Sequence, residues 1–260
     1  MENGASFMSI HKTEALVLKT MPFRSSSLIV TFFTPLLGKV RGVVKGVHRE
    51  GEIRQAGFEL FTHAEYIFYE KKRSDLHLIS DAAILESHHA LRDRLEGIAY
   101  ASYFCELVDE LTEVQDPHPK IFDLLKESFR FLPVIPPPRL ETVFVTQLLR
   151  EMGWLPFLES CLECGARPLE KGFFSIPHGA LLCERCRSKD TAALPVSSGA
   201  LAVLRSYSKD TLTDCLRVSH SSVIEGQIKT LITTFLNYRI GKLLKTRKFL
   251  DSIRPLLKTS

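Results

Sequence analysis

Four cysteines carry the clearest chemistry in this chain. Cys161-Leu-Glu-Cys164 and Cys183-Glu-Arg-Cys186 are two C-x2-C pairs separated by 18 residues. Each pair is a knuckle that can turn two sulfurs toward one ion. The 18 residues between them suffice for a hairpin that carries the second knuckle back to the first. Zinc takes four tetrahedral ligands and binds thiolates well, and four thiolates leave no open position for water. The spacing therefore predicts one structural Zn²⁺ held by Cys161, Cys164, Cys183 and Cys186. Gly165 follows the first knuckle, where a tight turn favours it. A pair of redox dithiols is the competing reading. His178 lies between the pairs as a further candidate ligand, although a His so placed is more often simply exposed.

Charge is the second signal. Lys39, Arg41, Lys45 and Arg49 fall within residues 39–49, which hold no acid. Side chains alternate faces along a strand, so Lys39, Arg41 and Lys45 share one face, opposite Val40 and Val44. Such a strand suits a sheet that packs a core on one side and follows a phosphate backbone on the other. A solvated outer face gives the same pattern without function, and DNA and RNA are both open on this stripe alone. Aromatics for base stacking are at hand in Phe23, Phe32, Phe33, Phe58, Phe61, Tyr66, Phe68 and Tyr69, although most must fill the core. Residues 239–258 hold seven Lys or Arg against one acid, Asp251, an excess larger than the net charge of +4 for the whole chain. That asymmetry suits a polyanion or an acidic peptide. A solubilising tail is the bland alternative, but Leu243, Leu244, Phe249, Leu250 and Ile253 interleave with the charges and argue for a packed segment.

Catalytic signals are weak by comparison. Glu106, Asp109, Glu110 and Glu113 recur at helical spacing and could hold Mg²⁺ for nuclease chemistry. The solvated face of a helix produces the same stripe. Gly42-Val-Val-Lys-Gly46 lacks the Gly-Lys-Ser/Thr ending of a phosphate-binding loop, and there is no His-Glu-x-x-His or Gly-x-Ser-x-Gly. His88-His89 reads as structural. No residue is assigned a catalytic role, and the chain is expected not to be an enzyme.

The elements that must position these groups come in two kinds. Residues 14–19, 28–34, 39–45, 58–69 and 76–79 read as strands, with turns at 35–38 and 70–75. Five short strands within about 70 residues suggest a small barrel or sandwich. Residues 48–57 read as a polar loop. After residue 81 the period becomes helical, over 91–111, 121–132 and 139–152, the last ended by Gly153. Four prolines in 133–138 make a rigid connector. Ser197-Ser198 could cap a helix to about residue 206. A helix over 223–244 carries Ile224, Ile228, Leu231, Ile232, Phe235 and Leu236 on one face. This organisation gives a β domain at 1–81, a helical domain begun at 82–156 and resumed at 191–260, and a zinc module between them at 157–190. Apolar residues make up 45% and charged residues 25%, as in soluble globular chains. No apolar run approaches the roughly 20 residues of a membrane span. Residues 1–12 lack the apolar core of a secretory signal, and cysteines paired for metal fit a reducing compartment, so a cytoplasmic location is expected.

Taken in order, these segments resemble a known family. Thr13-Glu-Ala-Leu-Val-Leu-Lys19, Ser27-Leu-Ile-Val-Thr-Phe-Phe-Thr34 and Gly38-Lys-Val-Arg-Gly-Val-Val-Lys-Gly46 are similar to the start of the bacterial RecO family of recombination mediators. Phe58-Glu-Leu-Phe61, residues 66–69, the four-cysteine module and Leu236-Asn-Tyr-Arg-Ile-Gly-Lys-Leu-Leu-Lys-Thr-Arg-Lys-Phe-Leu250 fit the same pattern, so the resemblance covers nearly the whole chain. It implies an N-terminal OB-fold barrel followed by a helical domain, often with an embedded four-cysteine zinc site. It implies binding of single- and double-stranded DNA and annealing of complementary strands coated by single-stranded DNA-binding protein, SSB. It also implies contact with the acidic C-terminal tail of SSB, and loading of RecA together with RecR, without catalysis and in the nucleoid-bearing cytoplasm. On this resemblance Lys39, Arg41 and Lys45 lie on the DNA-facing barrel strand and Arg49 in the loop after it. The resemblance gives the SSB tail no residue-level pocket; the basic C-terminal stretch is one candidate. The runner-up reading is an RNA- or transcription-associated zinc-module protein. The loop His48-Arg-Glu-Gly-Glu52 is less basic than the resemblance leads one to expect.

Overall fold

Residues 10–86 alternate apolar and polar side chains often enough to close a barrel. In the computed structural model, which describes residues 9–24, 26–47, 56–71, 74–167 and 171–257, five strands do so. They are β1 (Ile10–Phe23), β2 (Ser27–Thr34), β3 (Gly38–Lys45), β4 (His63–Tyr69) and β5 (Leu76–Glu86). Their order around the barrel is β1-β2-β3-β5-β4. β3 and β5 run parallel, Arg41 opposite Leu76, and the other neighbours run antiparallel. This is the partly Greek-key, OB-like arrangement. Inward positions of every strand fill the core: Val17, Val30, Phe32, Val40, Val44, Tyr66, Phe68 and Ile79 are all buried. Each such large side chain contributes about 1.5–3 kcal/mol on burial. The β2–β3 turn needs Gly38, which sits at φ +64° with the backbone of Asp116 so close that a Cβ would lie 2.4 Å from its carbonyl oxygen.

The chain divides into two compact units, Met1–Pro133 with Pro255–Ser260, and Val134–Arg254. Besides the barrel, the first holds α1 (His89–Arg92), α2 (Leu95–Leu111) and α3 (Pro119–Phe131). The helical pattern expected over 91–111 is thus broken at Asp93-Arg94. Pro119 opens α3, where its missing N–H costs nothing and its fixed φ is already helical. α3 is pinned to the barrel by aromatic contacts. Phe122 meets Phe33 and His63, and Phe129 meets Phe61 and His88. Burial holds both imidazoles below their usual range, His88 down to about 4, so they pack as neutral rings. This is the structural role expected of His88, now with named partners.

The second unit is built on α4 (Pro137–Glu151), with α5 (Ser198–Tyr207), α6 (Leu212–Arg217), α7 (Ser222–Ile240) and, as far as Arg254, α8 (Lys245–Leu257). Ser197, Thr211 and Ser221 each accept a hydrogen bond from the backbone N–H three residues on, capping α5, α6 and α7. Such caps contribute about 1 kcal/mol each. α7 stops earlier than its apolar period suggests, because Gly241 at φ +73° turns the chain out of the helix. Inside this unit Glu141 is 1% exposed. Its carboxylate accepts from the Arg247 guanidinium, and lies 3.1 Å from both the Lys229 ammonium and the Arg254 guanidinium. Asp251 pairs with the same two arginines. Two of the basic residues in the 239–258 stretch are therefore already paired, Arg247 buried and Arg254 half-buried.

Candidate metal centre and nucleic-acid interface

The cysteine knuckles meet because two strand ends meet. β6 (Phe157–Cys161), β7 (Lys171–Ser175), β8 (Ala180–Leu182) and β9 (Leu194–Ser197) form a sheet in the order β6-β8-β7-β9. β6 and β8 are parallel neighbours, with Cys161 opposite Leu181. Both strands deliver their knuckles at the same edge, and the hairpin expected between the pairs is β7–β8. After β6 the chain turns through Leu162 and Glu163, closed by the Gly165 N–H on the Cys161 carbonyl at 2.9 Å, with Gly165 at φ +70°. After β8 the Cys186 N–H bonds the Cys183 carbonyl at 3.0 Å as a short 3₁₀ helix, Glu184–Lys189, begins. β9 is a strand that sequence reasoning did not find.

The four sulfurs lie within 4.8 Å of one another, and those of Cys164 and Cys183 are 3.7 Å apart. Tetrahedral metal–sulfur bonds of about 2.3 Å place sulfurs about 3.8 Å apart, whereas a disulfide needs about 2.05 Å. The donor set can hold one metal ion. Local polarity already favours thiolates at two positions. Burial pushes the Cys161 thiol up, but backbone N–H groups of Cys164, Cys183 and Glu163 outweigh it and bring it down to about 6. The Cys183 thiol is lowered, burial notwithstanding, by the Cys186 N–H and the Cys164 and Cys186 thiols. Cys186 carries the cost of that crowding. Its own hydrogen bonds to Cys164 and Cys183 push it up to about 12, so a cation is what would let all four ionise together. Behind the cluster, Phe173, Leu182 and Ala193 make a small core, and the Arg187 guanidinium lies 4.5 Å above the Phe173 ring. His178 stands outside the cluster: its Nδ1 is 2.8 Å from Ser175 Oγ, which donates to Asp190 Oδ2 at 2.6 Å.

On the barrel, the expected basic face resolves into two rows. A bulge between Val17 and Lys19 shifts the register of β1 and sets Lys19 opposite Thr31. Thr31 in turn faces Arg41 on β3. Lys19, Thr31 and Arg41 thus form one cross-strand row, with Lys19 and Arg41 exposed. Met21, Ile29 and Val43 form the row beside it, and Met21 is 46% exposed. Lys19, Thr31, Arg41, Met21 and Ile29 floor a groove of about 300 Å³, ended by Lys39, Asp109 and Val114. Lys45 is exposed at the end of β3, opposite Ser27. Lys39 shares the face but has a protein partner. Its ammonium bonds the Asp109 backbone oxygen at 2.5 Å and lies 3.2 Å from Asp109 Oδ1. Arg49 lies outside the described residues. Lys19 and the apolar row escaped sequence reasoning, because only the β1 bulge brings them beside Arg41.

The aromatic supply is mostly core, as expected: Phe32, Phe33, Phe58, Phe61, Tyr66 and Phe68 are buried. Phe23 is half-buried with the Arg24 guanidinium 5.2 Å from its ring centre, and Tyr69 is half-buried. In the second unit, the Arg239 guanidinium lies 4.6 Å over the ring of Trp154, the chain's only tryptophan. Among the described residues no group of three or more carboxylates or imidazoles converges to metal-binding distance; the cysteine cluster alone does so. The stripe Glu106, Asp109, Glu110 and Glu113 therefore forms no such cluster. No helix among the described residues is long and apolar enough to cross a membrane.

Comparisons with known proteins agree along nearly the whole chain. The description "Recombination protein O N terminal" matches residues 8–88, and "Recombination protein O C terminal" matches residues 92–248. A DNA repair protein RecO of Anaeromyxobacter dehalogenans is 31% identical over 95% of this chain and 98% of its own. That of Syntrophus aciditrophicus is 30% identical over 94% of this chain and 96% of its own. That of Halalkalibacterium halodurans is 28% identical over 95% and 96%. With a closed OB-like barrel, a helical region and a four-cysteine cluster all in place, the chain belongs to the RecO family of DNA repair and recombination proteins.

Proposed function

We propose that this chain binds DNA on the outer face of its barrel and acts as a recombination mediator that makes and breaks no covalent bonds. The observation that carries this reading is the pair of neighbouring rows on β1, β2 and β3. Lys19, Arg41 and, further along, Lys45 offer cations at strand spacing, and Met21 and Ile29 offer an apolar strip beside them. Cations replace counterions on phosphates, and an apolar strip can hold unstacked bases. Lowering the repulsion between two polyanionic strands while leaving their pairing edges free is what annealing requires.

Family membership supports the wider role: single- and double-stranded DNA as ligands, annealing of SSB-coated strands, and RecA loading with RecR, in the cytoplasm at the nucleoid. The acidic tail of SSB would find cations at Arg239 and Lys248, both exposed. The four cysteines would hold one structural Zn²⁺, and the working partition of the chain is 1–81, 82–156, 157–190 and 191–260.

The test is single-stranded DNA binding measured against salt, for wild type and for Lys19→Ala/Arg41→Ala/Lys45→Ala. Each lost phosphate contact lowers the log–log slope by about 0.7, so the triple variant should lose about 2 and bind more weakly while its melting temperature holds. An unchanged slope and affinity would remove DNA from this face.

A further inference from the structure

Lys39 sits at the end of a helix as well as at the end of a groove. Asp109 lies in the last turn of α2, where backbone carbonyls have no partner within the helix. That turn carries no basic residue of its own, although a cation there would complement the helix dipole. Lys39 supplies one from the barrel, bonded to the Asp109 carbonyl and carboxylate, with its side chain 10% exposed. The neighbouring backbone is sewn to the same place. Lys39 bridges Val114, the Gln115 N–H bonds the Lys39 carbonyl at 3.3 Å, and Gly38 leaves no room beside Asp116. To reach a phosphate, Lys39 would have to uncap α2 and leave Asp109 without its counter-charge.

Asp109 has a second consequence. It lines the groove that holds Lys19 and Arg41, and its side chain is 38% exposed. Paired with Lys39, that carboxylate cancels the third cation lining the groove and so limits the pull that Lys19 and Arg41 exert on a phosphate.

We infer that Lys39 is a positioning residue that fastens α2 to the barrel, and that Asp109 restrains the groove's hold on a single strand. The inference rests on the DNA reading of the barrel face. It gives that reading a physical limit, since a protein that anneals strands must also release them, and a carboxylate at the groove's end weakens retention without removing any contact.

The experiment compares Lys39→Met, Asp109→Asn and Arg41→Ala in single-stranded oligonucleotide binding against salt, with a thermal melt of each. Arg41→Ala should lower the slope by about 0.7. Lys39→Met should leave the slope at the wild-type value and lower the melting temperature, with Lys39→Arg restoring it. Asp109→Asn still offers Lys39 an oxygen, so it should stay folded and bind about fivefold tighter at low salt, the Lys39 charge no longer being cancelled. A slope that falls in Lys39→Met as it does in Arg41→Ala, or in Lys39→Gln should Lys39→Met not fold, would make Lys39 a phosphate contact and overturn the first half. Asp109→Asn binding no tighter than wild type would overturn the second. If Arg41→Ala changes neither slope nor affinity, the strand is not in this groove, and the inference falls together with the reading beneath it.

Discussion

Cys164→Ser should abolish zinc binding and unravel the knuckle side of the sheet. Cys164 is exposed, so the substitution removes almost no packing, and a large effect would have to come through the ion. On the cysteine side the sheet has little else to stand on, whereas its other side packs Phe174 against Phe235 of α7. Its strands run five, five, three and four residues, and the core behind the cluster is only Cys161, Phe173, Leu182 and Ala193 with two further cysteines against it. Binding of a structural zinc by four thiolates contributes on the order of 10 kcal/mol to local folding, far more than that core can replace. Trp154 reports on the event, since it precedes β6 by three residues and stacks under Arg239. Wild type should carry one zinc per chain by elemental analysis, and Cys164→Ser close to none, with altered tryptophan emission and early proteolysis between residues 157 and 190. A serine variant that keeps its zinc, or a wild type that never binds any, would remove the metal from this account.

The second large effect is expected at Glu141. Three cations converge on this one buried carboxylate, two of them from α8. Removing one partner of a buried charge cluster costs about 3–5 kcal/mol, because the others are left desolvated without compensation. Glu141→Gln should accordingly lower the melting temperature by roughly 10 °C for a chain of this size. The origin of the loss can be separated from simple packing. Glu141→Leu combined with Arg247→Leu and Lys229→Met replaces charge by apolar volume on both sides, with Arg254 still paired to Asp251, and should recover much of the stability in a strongly non-additive way. A Glu141→Gln variant within 1 kcal/mol of wild type by chemical denaturation, against the 3–5 expected, would show that the cluster is dispensable.

Both sites mark the boundary of what could be read from residues alone. The cysteine cluster was legible because its members lie within two short motifs that the parallel strands β6 and β8 bring together. The barrel was legible because alternation has a period of two wherever one face is buried, although β1 and β5 extend well beyond their apolar runs. Helix ends were readable where a side chain does the capping, as at Ser197, and misread at Gly241, whose signal was present but weaker than the apolar period running through it. What the sequence could not reveal is pairing across distance. Lys39 meets a residue 70 positions away, and Glu141 meets Arg254 113 positions away. A stripe of like charges shows where cations lie along a strand and says nothing of which are already taken. Lys19 was invisible for the opposite reason: only a register shift within β1 turns it toward Arg41.

The measurement closest to the central claim is annealing itself. Complementary end-labelled strands coated with SSB are mixed with the chain in the presence of Mg²⁺, and both duplex yield and strand length are followed. Duplex formation should be faster with every strand full length, and Lys19→Ala/Arg41→Ala/Lys45→Ala should lose the acceleration. Shortened strands, or no acceleration by the wild-type chain, would contradict that claim.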